Sequence, residues 1–277
     1  MRTLLTGVTG RVGSRLAPRL AARTPLRVLV RDPDRVAPYW DQGHDVVIGD
    51  LRDPDAVKRA VHGVDAVVHL AAAFRGVDEA ETVAVNRDAA AQLGRAALEA
   101  GVSRFVFAST SLVYGPGRGR PAHEDDEARP GGHPYPQSKA AAERALLDLH
   151  HDGGLGLRIV RLAFVYGDGD PHLAGWLPRM AGGAAHQRLH IVHHADVARG
   201  MWLTLAEDGI DGRIFNLADD APLTAWELCA LTGQPAPAGD GPVDPWAGMV
   251  DTRRIRTELG FRPIFPTGYV AQAAGAM

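Results

Sequence analysis

The chain has 277 residues, enough for one large domain or a core with a smaller lobe, and a formal net charge of −3 that leaves no basic footprint for nucleic acid. Acidic and basic residues are interspersed and no apolar run is long enough to span a membrane, so the expected partner is a small molecule, with no nucleic acid and no membrane. The single cysteine, Cys229, rules out an intrachain disulfide and points to a reducing compartment, the cytoplasm.

The opening stretch Met1-Arg2-Thr3-Leu4-Leu5-Thr6-Gly7 carries an apolar run that glycine interrupts at once, and it reads as a first strand, not as a signal segment. From residue 1 to about 161, short aliphatic runs alternate with longer stretches of helical spacing. That is the pattern of βαβ units and of a parallel sheet buried on both faces. Strands are expected at 3–6, 27–30, 46–48, 66–69, 104–107 and 157–161, and the clearest helices at 10–22, 79–100 and 135–150. Residues 115–134, rich in Gly, Pro, Arg and acidic groups and lacking periodicity, predict an ordered flap or surface loop. Beyond residue 161 the rhythm changes to short elements with Gly, Pro and Trp, as in a smaller lobe. A helix at 196–206, a strand at 213–216, a helix near 225–232 and a loop at 234–245 are expected there.

Thr6-Gly7-Val8-Thr9-Gly10-Arg11-Val12-Gly13 places Gly-x-x-Gly-x-x-Gly directly between the first strand and the first helix. With 32 glycines in the chain, roughly 0.4 such triples are expected by chance, so location carries more weight than spacing. Glycine at such a turn allows a pyrophosphate to approach backbone N–H groups at a helix N-terminus. An acid at the end of the second strand suits the ribose diol of NAD, whereas arginine suits the extra phosphate of NADP. Here the strand ends Val28-Leu29-Val30-Arg31, so Arg31, with Arg11, is read as the 2′-phosphate partner and NADP as the preferred cofactor. Asp32 follows at once and keeps NAD open. Asp50, after the third strand, is placed either to accept from an adenine amine or to cap the helix begun by Asp53-Pro54.

Tyr135-Pro-Gln-Ser-Lys139 holds one of only two lysines among thirty basic residues, four positions after a tyrosine. On a helix those positions share a face. An ammonium beside a phenol favours its charged form and lowers its pKa from about 10 toward neutrality. Lysine supplies that charge as a compact point with three donors, where arginine is bulkier.

Taken together, Gly7/Gly10/Gly13, Asp50-Leu51, His69-Leu70-Ala71-Ala72, Ser109-Thr110-Ser111-Leu112-Val113-Tyr114-Gly115, Tyr135/Lys139 and Arg161-Leu162-Ala163-Phe164-Val165-Tyr166-Gly167 resemble signatures of the extended short-chain dehydrogenase/reductase family, also described as NAD-dependent epimerases/dehydratases. Phe215-Asn216-Leu217 and Asp251-Thr252…Glu258-Leu259-Gly260-Phe261-Arg262-Pro263 resemble that family's C-terminal lobe, so the likeness covers essentially the whole chain. It implies an α/β fold with a doubly wound, Rossmann-like parallel sheet. Residues 1–161 would form the dinucleotide-binding core and 162–277 a small substrate-binding lobe, with elements at about 191–217 returning to the core. The resemblance makes Tyr135 the general acid/base and gives Lys139 two tasks, depressing the Tyr135 pKa and hydrogen-bonding the nicotinamide ribose. Thr110, flanked by Ser109 and Ser111, would bind the reacting oxygen. Cofactor contacts are further implied for Gly7, Gly10, Arg11, Val12, Gly13, Arg31, Asp50, Leu51, Leu70, Ala71, Ala72, Ser109, Leu162 and Ala163. Asn86 is either an indirect contact or a polar residue of a helix interior.

The sequence also departs from the family's pattern. Members that remove water from nucleotide sugars carry Asp-Glu directly after this threonine, because elimination needs a second acid and base; Ser111-Leu112 stands here and argues against a 4,6-dehydratase. The segment between Gly167 and His193 is short for a nucleotide-sugar enzyme, and Arg188 lies one position early for the arginine expected before that strand. A smaller carbonyl compound or an unactivated sugar is favoured, lined by Ala73, Thr110, Phe164, Trp176 and Arg188. His186, His190, His193, His194 and Asp196 invite a metal reading. The resemblance makes this region a strand running into a helix with Asp196 structural, and successive strand side chains face opposite ways, so no metal is expected. The activity expected is hydride transfer between a nicotinamide and a small ketone, secondary alcohol or sugar-like substrate. The alternatives are a sugar or nucleotide-sugar epimerase with transient oxidation on bound NAD, and a non-catalytic NADP-sensing or scaffold protein. By the same resemblance, the small residues of helices 79–100 and 135–150 predict a homodimer.

Overall fold

The structure, a computed structural model, describes residues 1–74, 76–180 and 183–277. The chain begins β1 (Thr3–Thr6), α1 (Arg11–Ala21), β2 (Leu26–Val30), α2 (Ala37–Asp41), β3 (Asp45–Ile48), α3 (Pro54–Val61), β4 (Ala66–His69), α4 (Glu79–Val83), α5 (Ala89–Glu99), β5 (Arg104–Thr110) and α6 (Pro134–Gly153). It continues β6 (Leu157–Leu162), β7 (Phe164–Tyr166), α7 (His172–Trp176), β8 (Arg188–Leu189), β9 (Ile191–His193), α8 (His194–Ala206), β10 (Ile214–Leu217), β11 (Leu223–Thr224), α9 (Ala225–Thr232), α10 (Arg253–Glu258) and α11 (Gly268–Ala273).

Seven strands make the expected doubly wound α/β sheet, in the order β10-β6-β5-β4-β1-β2-β3. Its parallel registers include Leu5↔Val28 between β1 and β2 and Leu5↔Val68 between β1 and β4. Every residue of β1 and of β4 is buried, as strands covered by helices on both faces must be. Strand order reverses between β1 and β4, which sets a crevice at their carboxyl ends.

By contact the chain falls into two compact units, residues 1–109, 132–160 and 201–214, and residues 110–131, 161–200 and 215–277. The first has a core that includes Leu4, Val57, Leu93, Phe105, Phe107 and Leu146. In the second, Tyr166, Leu173, Ile191 and Leu228 form the core, β7 pairs in parallel with β9, and β8 pairs antiparallel with β11. The stretch expected as a flap follows a 3-10 turn, Ser111–Tyr114, and is tied down within the second unit. Ala122 N donates to Met249 O at 2.8 Å, and Glu124 Oε1 accepts from Asn216 N at 2.9 Å.

Two departures from the sequence expectation bear on the site. β5 runs on from Phe107 to Thr110, because Ala108, Ser109 and Thr110 stay buried after the apolar signal ends. The helix expected over 79–100 is α4 and α5 joined by a π-helical turn, Ala84–Asp88. That turn carries Asn86, only 1% exposed, to partners far away in sequence. Turns of this kind recur at functional sites.

Candidate functional site

At the end of β1, Gly7 has φ +74°, and a Cβ there would stand 2.5 Å from Ala71 N; one on Gly13 would stand 2.1 Å from Gly7 O. Both positions therefore require glycine, and the turn lies against the chain leaving β4. α1 starts at Gly10 with no side-chain cap and no acid in its first turn, so its leading N–H groups are left for an anion. This cradle fits a dinucleotide pyrophosphate. Two side chains that the sequence did not mark brace it through its carbonyls: Tyr39 Oη donates to Val8 O at 3.0 Å and Arg35 Nη2 to Thr9 O at 2.8 Å. Arg11 and Arg31 are exposed, while Val12 is half-buried. Asp32 is committed to the 3-10 turn Pro33–Arg35, where its Oδ1 accepts from Asp34 N at 3.0 Å.

Asp50 is gripped by Arg52, with Nε at 2.9 Å and Nη2 at 2.7 Å, and this hydrogen bonding holds its carboxyl below the usual range. The cap of α3 is Asp53, which accepts from Asp55 N at 3.0 Å, so Asp50 does not cap that helix. Leu51 is buried and its carbonyl accepts from Gln92 Nε2 at 3.4 Å. Past β4, Leu70 N donates to Thr6 O at 3.3 Å, and Ala71 and Ala72 follow. Asn86 holds both backbone groups of Ala73, accepting from its N–H at 2.7 Å and donating to its O at 2.8 Å. The same amide donates to Ser138 Oγ at 3.0 Å, which couples the strand-end loop to α6 one residue before Lys139.

α6 opens with His133 Nδ1 accepting from Tyr135 N at 3.3 Å and Pro134 in its first turn, so Tyr135 and Lys139 lie one helical turn apart near the start. The half-buried Tyr135 ring meets Phe74, centroid to centroid, at 4.4 Å. Lys139, 2% exposed, sets Nζ 3.9 Å from the Phe107 ring centroid. Phe107 in turn stacks on His69, whose Nδ1 meets Thr6 Oγ1 at 2.7 Å. Burial, then the Lys139 charge, drives the His69 pKa down to about 3, so the ring is neutral. Among the described residues no hydrogen bond ends on Tyr135 Oη or Lys139 Nζ, and Ser109 Oγ is buried without a partner. Burial raises the Tyr135 pKa to about 12 and lowers that of Lys139 to about 7, against the pull of Glu143. The sequence expectation that Lys139 depresses the phenol is not what these surroundings produce, because desolvation dominates both groups.

Thr110 belongs to the second unit and caps the turn Ser111–Tyr114, its Oγ1 accepting from Leu112 N at 3.3 Å. Leu162 and Ala163 are buried, and Ala163 N donates to Leu217 O at 3.0 Å. Phe164 stacks on His172 at 4.4 Å and meets Trp176 at 5.2 Å. Arg188 does not join them; it lines a separate cavity with His190, Asp219 and Trp246. Histidines that are close in sequence turn to different partners. His190 Nε2 donates to Asp219 O at 3.2 Å, His193 Nε2 to Ala276 O at 2.8 Å, and His194 Nε2 meets Asp170 Oδ2 at 3.0 Å. Asp196 accepts the N–H groups of Ile264 and Phe265. His186, exposed, lies just before β8.

A sequence model of the NAD dependent epimerase/dehydratase family matches residues 3–218. The chain belongs to this family. A relative of this NAD dependent epimerase/dehydratase family member, the 4-hydroxy-2-methyl-3-oxo-4-farnesyl-3,4-dihydroquinoline-1-oxide ketoreductase of Stigmatella aurantiaca, is 31% identical over 95% of the chain and 76% of its own length. A dTDP-glucose 4,6-dehydratase of Streptomyces niveus is 30% identical over 95% and 88%. Among solved structures, a short-chain dehydrogenase/reductase superfamily protein from Agrobacterium tumefaciens with bound NAD has a TM-score of 0.81 and 28% identity, covering 99% of this chain and 95% of that one. The family member is an enzyme of the extended short-chain dehydrogenase/reductase type, as the resemblance implied.

Proposed function

We propose that this enzyme is an NAD(P)-dependent oxidoreductase acting between a small ketone, or sugar-like carbonyl, and the corresponding secondary alcohol, with Tyr135 moving the proton. The observation that carries this reading is the Tyr135–Lys139 pair, a phenol and a buried amine on one helix turn whose polar heads find no partner among the described residues. Such heads keep their hydrogen-bonding capacity for a ligand. Their retention is explained by ligands from outside the chain. The bound cofactor supplies or accepts the hydride at its nicotinamide ring.

Tyr135, kept neutral by burial, is in the state needed to give its proton to the oxygen of a carbonyl undergoing reduction and to recover it in reverse. Thr110 has its acceptor side engaged by Leu112 N, which leaves its O–H to donate to the reacting oxygen. Lys139 has free N–H groups for the nicotinamide ribose, and Ser109 a free hydroxyl for the cofactor. The remaining proposed contacts are the cradle Gly7, Gly10, Arg11, Val12 and Gly13, then Asp50 and Leu51, Leu70 to Ala72, and Leu162 and Ala163. NADP is proposed over NAD because Arg31 directly follows β2, Arg11 opens α1 and Arg35 reaches the turn at Thr9 O, while the Asp32 carboxylate is engaged in capping. Ala73, Phe164 and Trp176 remain the proposed substrate contacts, without Arg188, which lines another cavity. A 4,6-dehydratase is not proposed, since Ser111 and the 49% exposed Leu112 offer no second acid or base.

The test is a screen of the purified protein for oxidation of NADPH and NADH against ketones and sugars. NADPH oxidation is expected with a ketone, and Tyr135→Phe is expected to lower it about 10²–10⁴-fold without changing cofactor affinity. Stoichiometric NAD on the purified protein with no net NADPH consumption would make it the epimerase, and no turnover with any substrate together with a Tyr135→Phe variant that changes no cellular or biochemical phenotype would make it non-catalytic. A homodimer through α5 and α6 is also proposed; a monomeric mass by light scattering at micromolar concentration would exclude it. The buried, free Cys229 suits the proposed cytoplasmic location.

A further inference from the structure

Within the second unit, Thr110 leads into the 3-10 turn Ser111–Tyr114, whose hydrogen bonds connect its two ends. Leu112 N donates to Thr110 Oγ1 at 3.3 Å, and Leu112 O accepts from Gly115 N at 3.2 Å. The Leu112 backbone therefore joins the Thr110 hydroxyl to the residues that close the turn, while its own side chain stands half in solvent.

Tyr114, buried, anchors the far end. Its Oη donates to Asn216 Oδ1 at 2.7 Å, across 102 positions of chain. Burial raises the Tyr114 pKa to about 12, against the pull of Arg161, whose guanidinium lies 4.7 Å from the ring centroid, so the phenol is neutral and donates. Asn216 is 0% exposed and its amide is fixed in orientation. Nδ2 donates to Ala122 O and to Asp251 O, both at 3.1 Å, and the backbone N donates to Glu124 Oε1 at 2.9 Å. Turning the amide over would set Oδ1 against two carbonyl oxygens, so the acceptor must face Tyr114. The phenol thus docks on a group that β10, the 122–124 stretch and Asp251 already hold in place.

We propose that Tyr114 is a positioning residue for the reaction: docked on Asn216, it holds the turn that keeps Leu112 N on Thr110 Oγ1 and so commits the Thr110 O–H to the reacting oxygen. This role rests on the hydride-transfer reading, in which Thr110 donates to that oxygen. A hydroxyl both donates and accepts, and with Leu112 N on its acceptor side the direction of its proton is restricted. Without that bond the side chain can reach other rotamers, and the reacting oxygen loses a preorganised donor.

The experiment starts from Tyr114→Phe, which keeps the ring beside Arg161 and removes only the Oη donor. With the ketone of highest turnover in the NADPH screen, kcat is expected to fall about threefold to tenfold, while KM and NADPH affinity stay within about twofold. A double-mutant cycle with Thr110→Ala separates positioning from a merely structural role. In the Thr110→Ala background, Tyr114→Phe should cost less than about twofold, because the group that Tyr114 positions is gone. Amide hydrogen exchange adds an arm that needs no turnover. Leu112 N–H should exchange about threefold to tenfold faster in Tyr114→Phe, with Phe105 N–H, which donates to Gly156 O at 2.8 Å, unchanged. An unchanged kcat, an equal loss in both backgrounds, or an unchanged Leu112 exchange rate would each overturn the role of Tyr114 and leave the hydride-transfer reading standing. That reading falls, and this role with it, if the wild-type protein oxidises NADPH with no ketone or sugar.

Discussion

Lys139 and Asp196 are both buried ionisable groups, one in each unit, and they are held in opposite ways. Asp196 receives two backbone N–H groups, from Ile264 and Phe265, which offset part of the burial that raises its pKa. Lys139 faces the ring of Phe107 and finds no acceptor among the described residues. The first arrangement stabilises a loop by satisfying its donors. The second lowers stability and is intelligible as a binding function. Polar burial alone thus does not mark a site; what distinguishes Lys139 is a charge placed without the partners that burial demands.

The largest effect expected from this contrast is at Asp196. Asp196→Ala leaves a buried pocket without its carboxylate and strands two part-buried N–H groups, each worth up to about 1–3 kcal/mol, so unfolding by denaturant should show a loss of about 2–5 kcal/mol. A loss under 1 kcal/mol would erase the contrast from this side.

Lys139→Met should move the other way. Burial brings the folded pKa to about 7 from the ordinary 10.5, so keeping this lysine protonated opposes folding. That cost is complete below pH 7 and fades as pH rises toward 10.5, so the variant should gain about 2–4 kcal/mol at pH 6 and almost nothing near pH 10. The same variant should lose NADPH oxidation. A destabilised Lys139→Met at pH 6 would mean that Lys139 serves the fold.

The contrast also explains what the sequence revealed. Gly7 to Gly13 and Tyr135 to Lys139 act over one turn of chain, so spacing along the sequence is spacing in space. β1 and β4 were legible because burial on both faces makes the whole run aliphatic. The π-helical turn was not, since an alanine-rich stretch suits either winding and its consequence, Asn86 meeting Ala73 and Ser138, joins residues 13 and 52 positions apart. Tyr39 and Arg35 reach the glycine turn over separations of 31 and 26. Arg188 shows the limit on the other side: it carries charge near Phe164 in expectation, yet it lines the Asp219 cavity, assembled from residues near 188, 219 and 246 that share no local pattern.

The smallest effect concerns a charge treated in neither way, the exposed Arg31. A guanidinium in water is little strained before a ligand arrives, so its removal should barely change stability and should be read only in cofactor choice. Arg31→Ala is expected to weaken NADPH about tenfold, roughly 1.4 kcal/mol, and NADH by less than about twofold. Arg35→Ala provides the comparison, because Arg35 also donates to Thr9 O and supports the turn that both cofactors share. It should weaken NADPH and NADH together, with any excess for NADPH measuring its share of the 2′-phosphate. If Arg31→Ala instead lowers both affinities equally, Arg31 shapes the turn as Arg35 does, and the preference for NADP loses its main support.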